Sequence, residues 1–447
     1  MKNLPEDFIH EMKSLLDSDE YDEYINNIDS EYYRGIRINR IKCSVKNAQK
    51  LLPFELKSVP FCETGFYIPF DVDGLGASAL HRAGAFYSQE PSAMSAVTVL
   101  DVHKGDYVLD LCAAPGGKST QIADMLGGTG LLWSNEIVKN RANILLSNIE
   151  RMGISNSVVS SCHPEKLCES LFGYFDRILV DAPCSGEGMF RKDGRAVDEW
   201  TAEHSKACAD RQLSILESAA NALKEGGTLV YSTCTFSVCE NEGVIEKFLT
   251  RHPEFSLVDC GVNFGRRSAI LPETVRIFPR DGGEGHFAAK LQRRGELLDN
   301  RSSQFYMIPS KDIVMAQQLY SELFVDKPLG ERFEVIGDKI LLLPDADIPA
   351  LHGLGVIRAG VLFAEKKKNR VEPCHAAFMA VNAEQVQKVI DMKIDDIRIN
   401  KYYKGEEIEI PEYINGFTAV AVEGMNIGFG KASGGVLKNR LPKGLRC

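Results

Sequence analysis

Between Tyr107 and Leu291 the chain alternates two kinds of apolar pattern. Short apolar runs bounded by turn residues predict buried strands at Tyr107–Cys112, Gly130–Asn135, Ser157–Ser161, Asp176–Asp181, Gly227–Ser232 and Gly285–Leu291. In the connections, apolar residues recur at helical spacing over Lys118–Leu126, Lys139–Met152 and Cys208–Leu223. Strands alternating with helices predict an α/β fold, a parallel sheet covered on both faces.

The same patterning divides the 447 residues into four sections. Residues 1–100 open with an acidic amphipathic helix and carry a strand candidate at Gly35–Lys42, which predicts a small N-terminal α/β region. Residues 101–294 form the sheet domain, and a polar linker, Gly295–Gln304, follows it. Residues 305–385 make a third unit. Residues 390–447 are rich in glycine, with short alternating strands at Glu407–Ile410 and Thr418–Val422, and predict a small β-barrel.

No apolar run approaches the roughly 18 residues that span a bilayer, so no membrane partner is expected. The N-terminus lacks the apolar core of a signal peptide, which predicts a cytoplasmic protein with reduced thiols. Its twelve cysteines include no C-x-x-C pair, and neither Cys162/Cys168 nor Cys234/Cys239 has the spacing of a structural zinc site. No metal is expected, most of the cysteines are read as small core residues, and a monomer is the expected state.

A net charge of −10 argues weakly against a nucleic-acid partner, but its distribution argues the other way. From Asn426 onward there are five basic residues (Lys431, Lys438, Arg440, Lys443, Arg446) and no acid, and Lys366-Lys367-Lys368-Asn369-Arg370 is a second basic run. Two such runs in the C-terminal third raise the case for a nucleic-acid partner.

The first strand ends in Cys112-Ala113-Ala114-Pro115-Gly116-Gly117-Lys118, and a helix follows. Glycines at such a turn let backbone approach a ligand. Glu136 closes the second strand 20 positions after Gly116, where a carboxylate can accept from ribose hydroxyls. A dinucleotide would call for G-x-G-x-x-G, and a phosphate-binding loop for a glycine where Cys112 stands. S-adenosylmethionine fits better, having no phosphates to cradle.

Two further strands end in Asp181-Ala182-Pro183-Cys184 and Thr233-Cys234. Ligands bind beyond the carboxyl ends of parallel strands, so both cysteines are expected to face the cofactor's crevice. A thiolate beside a methyl donor suggests cytosine chemistry. Addition to C6 makes C5 nucleophilic enough to take a methyl group, and the scheme requires a nucleophilic cysteine, an acid and a base. The residues alone leave open which cysteine attacks.

CAAPGGK (112–118), DAPCSGEGMF (181–190), YSTCTF (231–236) and RIFPRDGGEGHFAAK (276–290) resemble the signature motifs of the Sun/Nop-type RNA 5-methylcytosine methyltransferases. Arg37-Ile38-Asn39 and SQEPSAM (88–94) resemble that family's N-terminal segment. The ending GFGKASGGVLKNRLPKGLR resembles the C-terminal RNA-binding module of bacterial RsmF-type ribosomal RNA enzymes.

The resemblance implies a Rossmann-like S-adenosylmethionine-dependent methyltransferase domain, followed by RNA-binding domains that include a PUA-like β-barrel. It implies ribosomal RNA, or the small ribosomal subunit, as partner. It implies a cofactor site lined by Cys112, Ala113, Ala114, Pro115, Gly116, Gly117, Lys118, Glu136, Arg141 and Asp181. Cys234 would be the nucleophile, Cys184 would help release the product, and Asp181, oriented by Lys118, would hydrogen-bond the cytosine edge. The family's acid after the third strand is replaced here by His163, followed by Pro164 and Glu165. Phe190 and Phe278 are candidates to contact the base, although each is expected first as a core residue, and Arg191, Lys192, Arg276 and Arg280 are candidates to hold flanking phosphates. A non-catalytic RNA-binding factor, or a methyltransferase acting on protein or small molecules, would fit the intact cysteine pair or the basic C-terminus less well.

Overall fold

The computed structural model describes residues 4–297 and 310–446. Residues 298–304 of the expected linker lie outside the described residues. Ten strands form the central sheet: β1 (Tyr107–Asp110), β2 (Leu131–Asn135), β3 (Ser157–Ser160), β4 (Phe175–Asp181), β5 (Leu223–Thr233), β6 (Phe255–Val258), β7 (Arg266–Arg267), β8 (Val275–Ile277), β9 (His286–Arg293) and β10 (Val356–Ala359). Their order is β7-β8-β9-β5-β4-β1-β2-β3-β10, with β6 on β9. Strands β3, β2, β1, β4 and β5 run parallel, and β9 closes on β5 in antiparallel register, Phe287 opposite Thr233.

The strands read as continuous apolar runs because both faces are buried. Leu109, Trp133, Val158, Ile178 and Tyr231 point to one layer, with Leu213 and Leu216 of the helix Ala202–Ala222 and Phe248 of the helix Glu242–Arg251. Val108, Leu132, Val159, Leu179 and Val230 point to the other, against Ile122 and Ala123 of the helix Gly117–Leu126 and Leu145 and Ile149 of the helix Lys139–Arg151.

The long helix begins six residues before the periodicity predicted, at Ala202 rather than Cys208. Thr201 caps it, accepting from the His204 amide at 3.0 Å, so a side-chain cap rather than an apolar face defines that end.

The outer units hold this sheet. Helices Glu6–Leu15 and Ser18–Asn26 bring Phe8, Met12 and Tyr24 against Phe190, Trp200, Phe236 and Phe278. A four-stranded antiparallel sheet follows, ordered Lys57–Ser58, Gly65–Tyr67, Gly35–Ile38, Phe86–Ser88. Its apolar face shares one core with the five-stranded C-terminal module: Ile36, Phe66 and Phe86 join Ile390, Tyr402, Val420 and Leu437. The third unit carries its own four-stranded sheet and also donates β10 to the edge of the central one, Val356 opposite Ser160 and Ala359 opposite Val158.

Candidate active site

Strand β1 lies between β2 and β4, and the helices that follow β1 and β4 pack on opposite faces. This is the reversal point at which open α/β sheets bind ligands. The turn after β1 depends on Gly116, whose φ of +116° is in the left-handed region and whose added Cβ would meet Leu145 Cδ1 at 3.2 Å. A cavity of about 220 Å³ opens beside the turn, lined by Asp110, Cys112, Ala113, Ala114, Pro115, Gly117, Lys118 and Asp181. Tyr87, Ser88, Gln89, Glu90 and Ala93 of the N-terminal unit supply its other wall. Gly116 turns toward the helix Lys139–Arg151 and does not line it.

Glu136 and Arg141 stand behind the turn rather than on the cavity wall. Glu136 accepts from the Val138 amide at 2.9 Å and pairs with Arg141 at 3.1 Å, and Arg141 also donates to the Ala114 carbonyl at 3.0 Å. Each Glu136 oxygen keeps a second lone pair, so the group can still accept from a ribose. His163, in the place of the usual acid, is exposed and precedes the helix Pro164–Ser170.

Two buried residues brace the turn from below. Arg37 donates to Thr120 Oγ1 at 2.5 Å and to the Gly117 carbonyl at 3.3 Å. Ser119 donates to Asp110 Oδ2 at 2.7 Å, while Asp110 Oδ1 has no partner. Burial pushes the Asp110 carboxyl up to about 7, against the hydrogen bond from Ser119.

At the end of β4, Asp181 Oδ2 accepts from Lys118 Nζ at 2.8 Å and Oδ1 accepts from Ser232 Oγ at 2.9 Å. Burial, the largest single influence, would raise this carboxyl, but its neighbours together, Lys118 first, outweigh burial and hold Asp181 below the ordinary carboxylate range. His286 Nε2 lies 3.8 Å from Asp181 Oδ1. Burial, and then Lys118, pull that imidazole down to about 3, so it is neutral.

The sulfur atoms of Cys184 and Cys234 are 3.3 Å apart. The hydrogen bond to Cys234, and then burial, push the Cys184 thiol well above its ordinary range. The Gly188 amide donates to the Cys234 carbonyl at 2.9 Å, which ties the two loops together.

Two expected phosphate contacts are corrected, and the two aromatic candidates take the core positions that were their first expectation. Phe190 and Phe278 are 0% and 3% exposed and lie in the core under the N-terminal helices, so neither faces a base. Arg276 is buried in a two-pronged pair with Glu242, and Arg191 pairs with Glu284 at 3.2 Å with its side chain 6% exposed. These two guanidiniums hold protein together instead of phosphate. Arg280, 44% exposed, and Lys192, exposed, remain at the surface. The pattern also gave no weight to Glu187, Glu240, Asn241 and Glu242, all buried beside the cysteine loops. Their signal is a set of polar side chains, three of them carboxylic, that the fold takes out of solvent. Among the described residues no His, Cys, Asp and Glu group could hold a metal, and no helix is long and apolar enough to cross a membrane.

Comparison with known proteins agrees with this geometry. Residues 97–292 match the model of the 16S rRNA methyltransferase RsmB/F family. Residues 4–91 match the N-terminal domain of 16S rRNA methyltransferase RsmF, 319–381 its first C-terminal domain, and 389–447 its PUA domain. Ribosomal RNA small subunit methyltransferase F of Vibrio cholerae is 34% identical over 99% of this chain and 98% of its own. The same-named protein of Shewanella piezotolerans is 30% identical over 100% and 98%. A methyltransferase homolog from Pyrococcus horikoshii has a TM-score of 0.54 at 28% identity, covering 65% of this chain and 100% of that one. NSun6 from the same organism, solved with SFG, shares the fold at a TM-score of 0.59 and 22% identity, covering 66% and 100%. With a Rossmann-like domain, an N-terminal α/β unit and a PUA module in one chain that relatives match end to end, the protein belongs to the RsmF-type 16S ribosomal RNA methyltransferases of the Sun/Nop family.

Proposed function

We propose that this chain transfers a methyl group from S-adenosylmethionine to C5 of a cytosine in small-subunit ribosomal RNA, acting in the cytoplasm as a monomer. The observation that carries the reading is the Cys184–Cys234 pair, 3.3 Å apart, at strand ends flanking the Lys118–Asp181 ion pair. A scaffold has no need of two sulfurs held in contact beside a half-buried ion pair.

The residues around the 220 Å³ cavity fit the cofactor. The turn Cys112–Lys118 presents backbone without bulk and Tyr87 provides an aromatic wall, while Glu136, behind the turn, is assigned to the ribose through the lone pairs it keeps free. When bound, S-adenosylmethionine supplies an electron-poor methyl group on a sulfonium sulfur. Lys118 and Asp181 set a donor and an acceptor side by side, the complement of cytosine N3 and its N4 amino group. Uracil presents the reverse pattern.

Cys234 thiolate adds to C6, forming a carbon–sulfur bond and moving the ring electrons so that C5 becomes nucleophilic. After methylation the C5 proton leaves to a base, the C5–C6 double bond re-forms, and the Cys234 sulfur departs with its electron pair. Cys184 is assigned to that departure, as the thiol in contact with the leaving sulfur. The target base must leave its stack to reach this pocket. The 389–447 module and the two basic runs supply the affinity for RNA.

Incubation of Cys184→Ala and Cys234→Ala variants with RNA and S-adenosylmethionine tests the assignment. Cys184→Ala is expected to accumulate a protein–RNA adduct that survives denaturant, and Cys234→Ala to be inactive and free of adduct. The reverse pattern overturns the roles, and methyl groups found elsewhere than cytosine C5 in digested RNA overturn the reaction.

A further inference from the structure

Downstream of Cys234 the chain reads Glu240-Asn241-Glu242, three polar residues in a row that are each at most 1% exposed. Burying three such side chains is costly unless each is fully partnered. Glu240 and Asn241 find partners in the two cysteine loops, and Glu242 finds Arg276 and Ser268.

Glu240 faces the Cys184 side. Its Oε2 accepts from the Ser185 amide at 3.1 Å and from Gln212 Nε2 at 2.7 Å. Its Oε1 accepts from Ser205 Oγ at 2.6 Å and from Ser185 Oγ. Gln212 also donates to the Pro183 carbonyl at 3.0 Å, so the residues on both sides of Cys184 are fixed. Tyr231 OH donates to the Glu240 carbonyl at 2.6 Å and locks the loop to β5. Donors converge on both carboxyl oxygens, which is what an ionised carboxylate accepts.

Asn241 does the same for Cys234. Its Oδ1 accepts from Thr233 Oγ1 at 2.6 Å and its Nδ2 donates to the Thr235 carbonyl at 2.9 Å, one residue on either side of the cysteine. Glu242 binds Arg276, which donates to the Phe236 carbonyl at 2.9 Å.

We propose that Glu240 is the positioning residue of the two-cysteine site, with Asn241 as its counterpart on the Cys234 side, and that its carboxylate makes Cys184 the hydrogen-bond donor of the sulfur pair. The titratable groups around Cys184 are Tyr231 from β5, Cys234 just beyond it, Glu240 from the following loop and, on its own loop, Glu187, which accepts from Ser185 Oγ at 3.5 Å. The packed helix Ala202–Ala222 contributes Ser205 and Gln212, which carry no charge. The negative charge of Glu240 adds to the contact with Cys234 and to burial in opposing ionisation of Cys184. A thiol on Cys184 then stabilises Cys234 before attack and again as it departs from C6. This inference rests on the reaction proposed above.

The test uses the full chain without RNA. Trypsin releases Ile178–Arg191, whose only cysteine is Cys184, so mass spectrometry of that peptide reads the pH dependence of its alkylation by iodoacetamide. Glu240→Gln is expected to move the midpoint down by about one pH unit, as loss of a neighbouring like charge does. Glu240→Asp, which keeps the charge, is expected to leave it near the wild-type value. With RNA and S-adenosylmethionine, Glu240→Gln is expected to raise the trapped adduct several-fold. An unmoved midpoint together with a wild-type adduct level overturns the proposal. Should Glu240→Gln not fold, Ser185→Ala removes the hydroxyl between Glu240 and the Cys184 loop, and a wild-type adduct level there overturns it as well. A shifted midpoint in a protein whose wild type leaves cytosine C5 unmethylated supports the positioning role while removing the reaction.

Discussion

Lys118 Nζ and Asp181 Oδ2 lie 2.8 Å apart, and this one contact joins the glycine turn after β1 to the end of β4. Both are largely shielded, with side chains 12% and 29% exposed. Removing one member of such a pair leaves an uncompensated charge, at a cost of a few kcal/mol. Lys118→Met is therefore expected to lower the melting temperature and to cut methyl transfer by roughly 100-fold or more. The double variant Lys118→Met/Asp181→Asn should regain melting temperature without regaining activity, which separates folding from chemistry. Equal recovery of both would show the pair to be structural only.

Asp110 gives the site a pH signature. Its folded value of about 7 lies above the unfolded 3.8, so the native state holds a proton that the unfolded chain releases. Stability from this group is fully present below the unfolded value and is lost as pH rises through 7, at up to about 1.4 kcal/mol per pH unit. Urea titrations of Asp110→Asn should show that slope removed, with the gain over wild type appearing at pH 8 and absent at pH 4.

The N-terminal helices roof the cysteine loops. Phe8 sits 4.9 Å from Phe190 between ring centroids, and Tyr24 packs edge-on to Phe236 at 6.0 Å. Phe8→Ala should cost about 3–5 kcal/mol at the cavity it opens. Because Phe236 follows Cys234 by two residues, hydrogen exchange at residues 184–190 and 234–238 should quicken in that variant. Exchange confined to residues 4–28 would refute the coupling.

A buried lysine latches the third unit. Lys42 Nζ donates to the Val381 carbonyl at 3.0 Å and to the Met379 carbonyl, at the end of the helix His375–Met379. Gly153, with φ +75°, leaves room for it: an added Cβ would meet Lys42 Cε at 2.4 Å. Lys42→Ala and Gly153→Ala should each destabilise by about 1–3 kcal/mol, read as lower urea midpoints. If their effects add fully in the double variant, the two residues do not act on one contact.

Much of this was readable before any coordinates. Strands buried on both faces leave continuous apolar runs, so β1 to β5 were visible, and the Gly116 turn announced itself by residue type. What stayed hidden depends on distant chain. Arg276 and Arg191 read as contacts of phosphate, because only Glu242 and Glu284 take them from solvent. Glu240-Asn241-Glu242 reads as solvated surface until the helix Ala202–Ala222 and the Cys184 loop close over it. His286 passes for one more motif residue until its strand lies beside β5.

The edge strand β10 has a mechanical consequence. Val356–Ala359 hydrogen-bonds to β3, while the C-terminal module shares its core with the N-terminal unit, so the third unit and the PUA module are each built into the same body as Cys234. The span from the PUA surface to the sulfur pair is then a fixed length rather than a swinging arm. Under the proposed reaction, an RNA that touches both ends is measured by that length, and shape alone can reject a cytosine at the wrong distance.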